Sequence, residues 1–208
     1  MEILYRGAEA VVYIDSFDGE DVLVKERTPK KYRVKELDEE LRKLRTRKEV
    51  KLLTEARKLG ISTPKIFSVD EKSCKIVMEF VKGEKLRDYL NAASKEDLEP
   101  LCRELGRIIG KLHASDIVHG DLTTSNMILS NGKIYMIDFS LGDFTQRIED
   151  KGVDLKLLKE AVKSTHFQNF NTIWSGILAG YKSEYKNTGA VLQQLTEIEK
   201  RARYANRE

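Results

Sequence analysis

A chain of 208 residues with 40% hydrophobic and 34% charged side chains can build one ordinary core, or two small lobes around a cleft. Its 37 lysines and arginines against 34 acids leave a net charge of +3, which excludes a binder of nucleic acid or membranes by bulk charge alone. No apolar run approaches the roughly 18 residues of a membrane span, and Cys74 and Cys102 are too few for a disulfide scaffold. Met1–Arg6 lacks the basic-then-apolar form of a secretory leader, so a cytoplasmic protein without membrane attachment is expected.

In chain order, three short strands are predicted first, at Glu2–Arg6, Ala10–Asp15 and Asp21–Glu26. They are punctuated by Gly7 and by the hairpin signal Asp18-Gly19. After Pro29 the apolar residues Val34, Leu37, Leu41, Leu44, Val50, Leu53, Ala56 and Leu59 recur at helical spacing until Gly60. Pro64 breaks the pattern, and strands are expected near Lys65–Val69 and Cys74–Phe80. Beyond Gly83 the repeat Leu98, Leu101, Cys102, Leu105, Ile108, Ile109, Leu112 marks an amphipathic helix ending near His113. A polar loop from His119 to Asn126 then leads into a hairpin, Met127–Leu129 and Ile134–Ile137, turning at Asn131-Gly132. The chain after about Asp150 reads as helical. The expected class is α+β: a β-rich N-terminal lobe with one long helix over residues 1–82, and a helical C-terminal lobe over 83–208, hinged near Val81–Gly83.

The second hairpin fixes a geometry. Its turn centres on Asn131-Gly132, so Asn126 and Asp138 stand nearly opposite each other at its open end, and Asp121 lies in the adjoining loop. Carboxylate and carboxamide oxygens of this kind suit a hard cation such as Mg²⁺, which takes one or two protein oxygens and completes its shell with phosphate. An acid that does not bind the metal remains to orient an attacking hydroxyl. Taken singly, each of the three is an ordinary turn or strand-end residue; their convergence argues for a site.

His119-Gly120-Asp121-x-x-x-x-Asn126 followed by Asp138-Phe139-Ser140 resembles the catalytic loop and metal-binding motif of the protein-kinase superfamily. The resemblance implies a two-lobed kinase-like fold with Asp121 as catalytic base, Asn126 and Asp138 holding Mg²⁺ (or Mn²⁺), and Phe139 packed beneath the metal loop. Val22-Leu23-Val24-Lys25 is similar to the third-strand lysine motif, with Lys25 reaching phosphates and Leu23 covering the base. Its helix partner is expected to be Glu55, with Glu49 as the competitor. Met78-Glu79-Phe80-Val81 resembles the hinge, with Met78 as gatekeeper and the backbone of Glu79 and Val81 facing adenine. Gly7-Ala8-Glu9-Ala10 stands where a glycine-rich phosphate loop belongs, with Val12 over the base; it has one glycine and an acid beside ATP.

Gly120 replaces an arginine that would clamp a phosphorylated segment, Thr123 stands where many kinases have a lysine, and no Ala-Pro-Glu follows Asp138. With 70 residues after Asp138 the helical lobe is expected to be reduced and to lack most of the activation segment. The finer resemblance is to the PRPK family, the small kinase subunit of the KEOPS complex. It is carried by Gly7-Ala8-Glu9-Ala10, by His119 to Met127, by Glu149 to Leu155, by Ser164-Thr165-His166 and by the basic tail Lys200-Arg201-Ala202-Arg203-Tyr204. It implies an ATP- and Mg²⁺-dependent serine/threonine kinase and ATPase that supports threonylcarbamoyl modification of tRNA adenosine. An ASKHA-fold catalytic subunit and a small regulatory subunit are the implied partners. It also implies that Asp154 supports the catalytic-loop backbone, while His119 and His166 are structural. Six basic residues between Arg42 and Lys51, against the single acid Glu49, offer a face for tRNA phosphates, as does the tail; a merely solvated helix face is the alternative. The competing functions are a small-molecule phosphotransferase of the aminoglycoside or choline type and a nucleotide-binding pseudokinase module.

Overall fold

The computed structural model describes residues 2–205, with side chains through Ala202. Three strands open the chain, β1 (Glu2–Arg6), β2 (Ala10–Phe17) and β3 (Glu20–Arg27), followed by α1 (Lys35–Lys58), β4 (Ile66–Asp70) and β5 (Lys75–Glu79). The five strands form one antiparallel sheet in the order β1-β2-β3-β5-β4. The β2–β3 hairpin turns at Asp18 and Gly19, both at positive φ, as the two-residue Asp-Gly turn requires. Strand β5 starts one residue later than the sequence suggests, because Cys74 closes the preceding turn with φ of 55°.

Helix α1 departs from expectation in its first half. Val34, Leu37 and Leu44 share its apolar periodicity but are exposed, whereas Thr46, Glu49, Leu52, Leu53 and Ala56 are buried. Only the second half of the helix lies against the rest of the molecule. Polar contacts tie the first half down instead: Arg42, anchored by the buried Asp38 at 2.8 Å, donates from Nη1 to the Arg27 carbonyl at 3.5 Å, and Arg45 donates to Glu9.

Past the hinge come β6 (Glu84–Lys85), α2 (Leu86–Ala92), α3 (Lys95–Ala114), β7 (Ile117–Val118), the hairpin β8 (Met127–Ser130) and β9 (Lys133–Met136), β10 (Asp143–Phe144), and the helices α4 (Ile148–Thr165), α5 (Phe170–Glu184) and α6 (Thr188–Ala205). Elements as short as α2, β6, β7 and β10 carry too few residues to show a period, and the sequence reading missed all four. Asn131 and Gly132 take φ of 48° and 72°, the left-handed pair of a tight hairpin turn. The main core runs from Leu52, Leu53 and Ala56 of α1 through Leu105, Ile109 and Leu112 of α3 to Ile173, Ile177 and Tyr181 of α5. Tyr13, Val22 and Val24 form a separate small cluster on the outer face of the sheet. Among the described residues no helix is long and apolar enough to cross a membrane.

Helices α3 and α5 meet through glycines. A Cβ added at Gly180 would lie 1.8 Å from the carbonyl oxygen of Arg103, and one at Gly106 2.0 Å from that of Ile177. Gly106 and Gly110 on one helix, and Gly176 and Gly180 on the other, repeat every four residues and so mark the face on which the backbones touch. Because the obstructing atoms are backbone, they cannot swing aside. Gly180→Ala is therefore expected to lower stability by about 1–3 kcal/mol through overpacking, read as a fall in the urea midpoint with the slope unchanged.

Candidate active site

Strand alternation decides what β3 presents to each side. Val22 and Val24 turn to the outer cluster, and Lys25 and Arg27, of opposite parity, lie buried beneath the sheet beside α1. The Lys25 ammonium donates to Glu49 Oε1 at 2.7 Å and to Asp138 Oδ1 at 2.6 Å. The expected partner, Glu55, is incorrect. It lies about 240° around the helix from Glu49, half-exposed and paired with Lys58 at 2.9 Å. Glu49 shares its face with Leu52, Leu53 and Ala56, and that spacing was the available signal. Its second oxygen accepts from Arg27 Nη2 at 2.5 Å, so one buried carboxylate serves two buried cations.

The loop from His119 to Asn126 is held from below. Asp154 of α4 accepts the backbone amides of His119 at 2.6 Å and Gly120 at 2.8 Å, and lies 3.3 Å from His113 Nε2. Burial would raise its pKa, but the hydrogen bond and charge of His113 and the contacts with His119 hold it below the usual carboxylate range. His113 in turn meets the Tyr181 hydroxyl at 2.8 Å, a buried polar chain for which the sequence carried no local signal. Gly120 has φ of 78°, and a Cβ there would lie 2.1 Å from the carbonyl oxygen of Leu141. No arginine fits at this position. His119 bonds the Ile137 carbonyl at 3.0 Å and stacks on the fully buried Phe139, and His166 bridges Thr124 at 3.0 Å and Asn91 at 2.6 Å.

The turn Thr124–Asn126 delivers Asn126 to Asp121: its Nδ2 donates to Asp121 Oδ2 at 2.8 Å and to the Asp121 carbonyl at 2.9 Å. With the amide nitrogen so engaged, the Asn126 side-chain oxygen has no donor among the described residues. Across the hairpin Ile137 donates to the Asn126 carbonyl at 3.0 Å, which sets Asp138 beside the pair. Asp138 has φ of 59°, a left-handed conformation unusual for a residue with a Cβ, stored at the point where strand becomes metal loop. Ser140 donates its hydroxyl and its amide to Asp138 Oδ1. Burial pushes the Asp138 carboxyl up, yet the charge and hydrogen bond of Lys25 and the bonds from Ser140 hold it at about 2. Lys25 is raised: burial disfavours its charge, and Glu49 and Asp138 more than offset that.

A cleft of about 210 Å³ opens above these groups, lined by Gly7, Ala8, Glu9, Val12, Lys25, Arg27, Asp121, Asp138 and Ser140 among others. The cleft brings together Gly7 to Ala10, Lys25, Asp121 and Asp138 of the expected phosphate side; Asn126 does not line it and reaches it only through Asp121. Leu23, Met78, Glu79 and Val81, expected around the base, do not line it; Met78 lies in the sheet opposite Leu23, and the Glu79 amide is taken up by the Lys65 carbonyl at 2.8 Å. The cations of the basic stretch of α1 are each paired within the chain, most of them at the surface. Arg42 pairs with Asp38, Lys43 with Glu39, Arg45 with Glu9, Arg47 with Glu71 and Lys48 with Asp143, while Lys51 sits over the Phe144 ring. Glu49, read as its exposed acid, is buried. In the tail, Lys200 pairs with Glu197 and Arg201 with Glu149; the side chains of Arg203 and Tyr204 lie outside the described residues.

A five-stranded sheet with one long helix, a helical second lobe, and a lysine–glutamate pair facing Asp121 and Asp138 across one cleft define a protein-kinase-like fold. A RIO domain profile matches residues 13–142. The KEOPS complex subunit Bud32 of Pyrococcus abyssi is 45% identical over 216 residues, covering 100% of this chain and 98% of its own. A probable bifunctional tRNA threonylcarbamoyladenosine biosynthesis protein of Methanosarcina mazei is 43% identical over 98% of this chain, which spans 36% of that longer protein. The Rio2 kinase of Chaetomium thermophilum, solved as an ADP/Mg²⁺-phosphoaspartate complex, has the same fold: TM-score 0.65 at 14% identity, covering 99% of this chain and 72% of the other. WaaP, solved with acyl carrier protein, has a TM-score of 0.64 at 14% identity, covering 96% and 88%. The chain belongs to the RIO domain family, in its Bud32 branch.

The Lys25–Asp138 contact has a pH signature. A carboxyl held low stabilises the fold above the usual carboxylate range and loses that contribution as the pH falls towards about 2; a raised lysine keeps its contribution until well into the alkaline range. Lys25→Met removes the opposing charge and leaves the burial. Asp138 is then expected to titrate at a higher pH than in the wild type, read by carboxyl NMR, with the acid limb of the stability curve shifted the same way.

Proposed function

We propose that this chain is an atypical serine/threonine kinase and ATPase, dependent on Mg²⁺-ATP, acting within a KEOPS complex in threonylcarbamoyladenosine modification of tRNA. The single observation that carries the reading is Lys25 bridging Glu49 of the long helix to Asp138 of the metal loop at the floor of the cleft.

Each residue has a task that its position allows. Lys25, oriented by Glu49, offers a fixed positive charge to the phosphates of a nucleotide in the cleft. Gly7 to Ala10 cover the same space from above. Met78, Glu79 and Val81 lie outside the lining of that cleft, at the junction of the lobes, and are assigned to the hinge by their place in the chain. Asp121, steadied by the Asn126 amide, retains a carboxylate oxygen to accept the proton of an attacking hydroxyl, or of water in ATP hydrolysis. The donor set fits Mg²⁺, with Mn²⁺ as a substitute. Asp138 Oδ2 and the Asn126 side-chain oxygen have no hydrogen-bond donor among the described residues, and a single carboxylate with one amide leaves room for the phosphate oxygens that such an ion prefers. The bound ion supplies neutralisation of the charge that develops on the phosphates.

The assembly and the pathway follow from relatives. The Pyrococcus protein is named as a KEOPS subunit and the longer Methanosarcina protein for threonylcarbamoyladenosine biosynthesis. We extend both to this chain, with an ASKHA-fold catalytic subunit and a small regulatory subunit as its partners and a cytoplasmic location. Contact with tRNA, through Arg42–Lys51 or through the basic tail, belongs to the same proposal; the described cations of both stretches also pair with acids of the chain, at the surface where such pairs exchange readily.

Asp138→Ala is expected to lower Mg²⁺-dependent ATP hydrolysis by about 10²-fold or more, with the circular-dichroism spectrum of the wild type retained. Asp138→Asn, which keeps the shape and one oxygen, should fall nearly as far. Turnover undiminished in both variants would refute the assignment.

A further inference from the structure

The loop between β1 and β2 has a single glycine, Gly7, which does not take the left-handed conformation. Gly7 keeps an ordinary backbone conformation, and a Cβ on it would lie 2.6 Å from the Tyr5 ring. No residue from Gly7 to Ala10 takes a positive φ. What fixes the loop is charge. One oxygen of Glu9 accepts from Arg45 Nη1 of α1, and the other lies 3.7 Å from Arg27 Nη1 of β3. The Glu9 carbonyl accepts from the Thr28 amide at 3.2 Å. The hydrogen bond from Arg45, against a smaller opposing effect of burial, keeps the Glu9 carboxyl below its usual range and therefore ionised.

Arg27 is the second part of the arrangement. It is 3% exposed, lines the cleft, and joins the loop acid to Glu49, the partner of Lys25. Its Nε has no hydrogen-bond partner among the described residues. Arg45 stands four residues before Glu49, so one face of α1 delivers an arginine to the phosphate-side loop and a glutamate to the lysine.

We infer that Arg45 and Arg27 are positioning residues, a latch that turns Glu9 away from the nucleotide phosphates and orders the loop above them. This deepens the nucleotide-binding reading and rests on it. Without the latch, binding must order a looser loop, and a free carboxylate stands beside phosphate in the cleft.

The test is the Kd for ADP with Mg²⁺, by calorimetry on the whole chain, together with ATPase kinetics. Arg45→Met is expected to weaken ADP about threefold to fivefold, the scale of a partly exposed ion pair. KM for ATP should rise with it, while kcat at saturation holds. Arg45→Lys should keep most of the affinity, and Arg47→Met, two residues along on another face of the same helix, should match the wild type. Adding Glu9→Gln to Arg45→Met should recover part of the loss, because the freed charge is gone; a merely structural role would give no such recovery. Wild-type affinity in Arg45→Met, or no recovery in the double variant, overturns the latch alone. A wild-type chain that binds no ADP overturns the nucleotide reading and the latch with it.

Discussion

A lysine ammonium that is 7% exposed sits at the meeting point of strand, helix and metal loop, and the rest of the arrangement is built to compensate it. An uncompensated charge at such depth is expensive, and removing one partner of a buried pair costs more than the pair contributes. Lys25 is answered by Glu49 and Asp138; Glu49 in turn is shared with Arg27. Satisfying these groups requires α1 to lie close under the sheet and the metal loop to rise towards it. The assembled cleft is thus the low-energy solution of a charge problem posed by one apolar strand carrying two cations.

The lower half of the site rests on a different device. Both oxygens of Asp154 are spent on consecutive backbone amides, which fixes the peptide that precedes Asp121. Behind it, the contact continues through His113 to Tyr181 on α5, and α5 meets α3 at glycine-lined closeness. The loop is therefore referred to the stiffest part of the helical lobe. Its Gly120 accommodates the Leu141 carbonyl where a side chain would clash, so the same peptide that excludes an arginine joins the two functional loops.

Much of this was legible from residues alone. The strand order before the hinge, the long helix, the Asn131-Gly132 hairpin and the convergence of Asp121, Asn126 and Asp138 all follow from periodicity and turn chemistry. The Lys25 partner is legible only from the helix face: Glu49, not Glu55, is in phase with Leu53 and Ala56. The exposed leucines of the first half of α1 misled for a related reason, since an apolar stripe does not say where the surface it faces comes to an end. The two-residue strands and the roles of Arg27, Arg45, Ser140 and His113 depend on contacts between segments far apart in sequence. No local pattern encodes those.

One small junction bears on movement. Lys48 meets Asp143 at 3.0 Å and Lys51 covers the Phe144 ring, so the long helix is stitched to the strand that begins five residues past Asp138. Both stitches lie at the surface, where ion pairs are weak and are screened by salt. Ties of that strength hold the long helix and the chain beside the metal loop together without locking them, so the two can part at this seam at little cost.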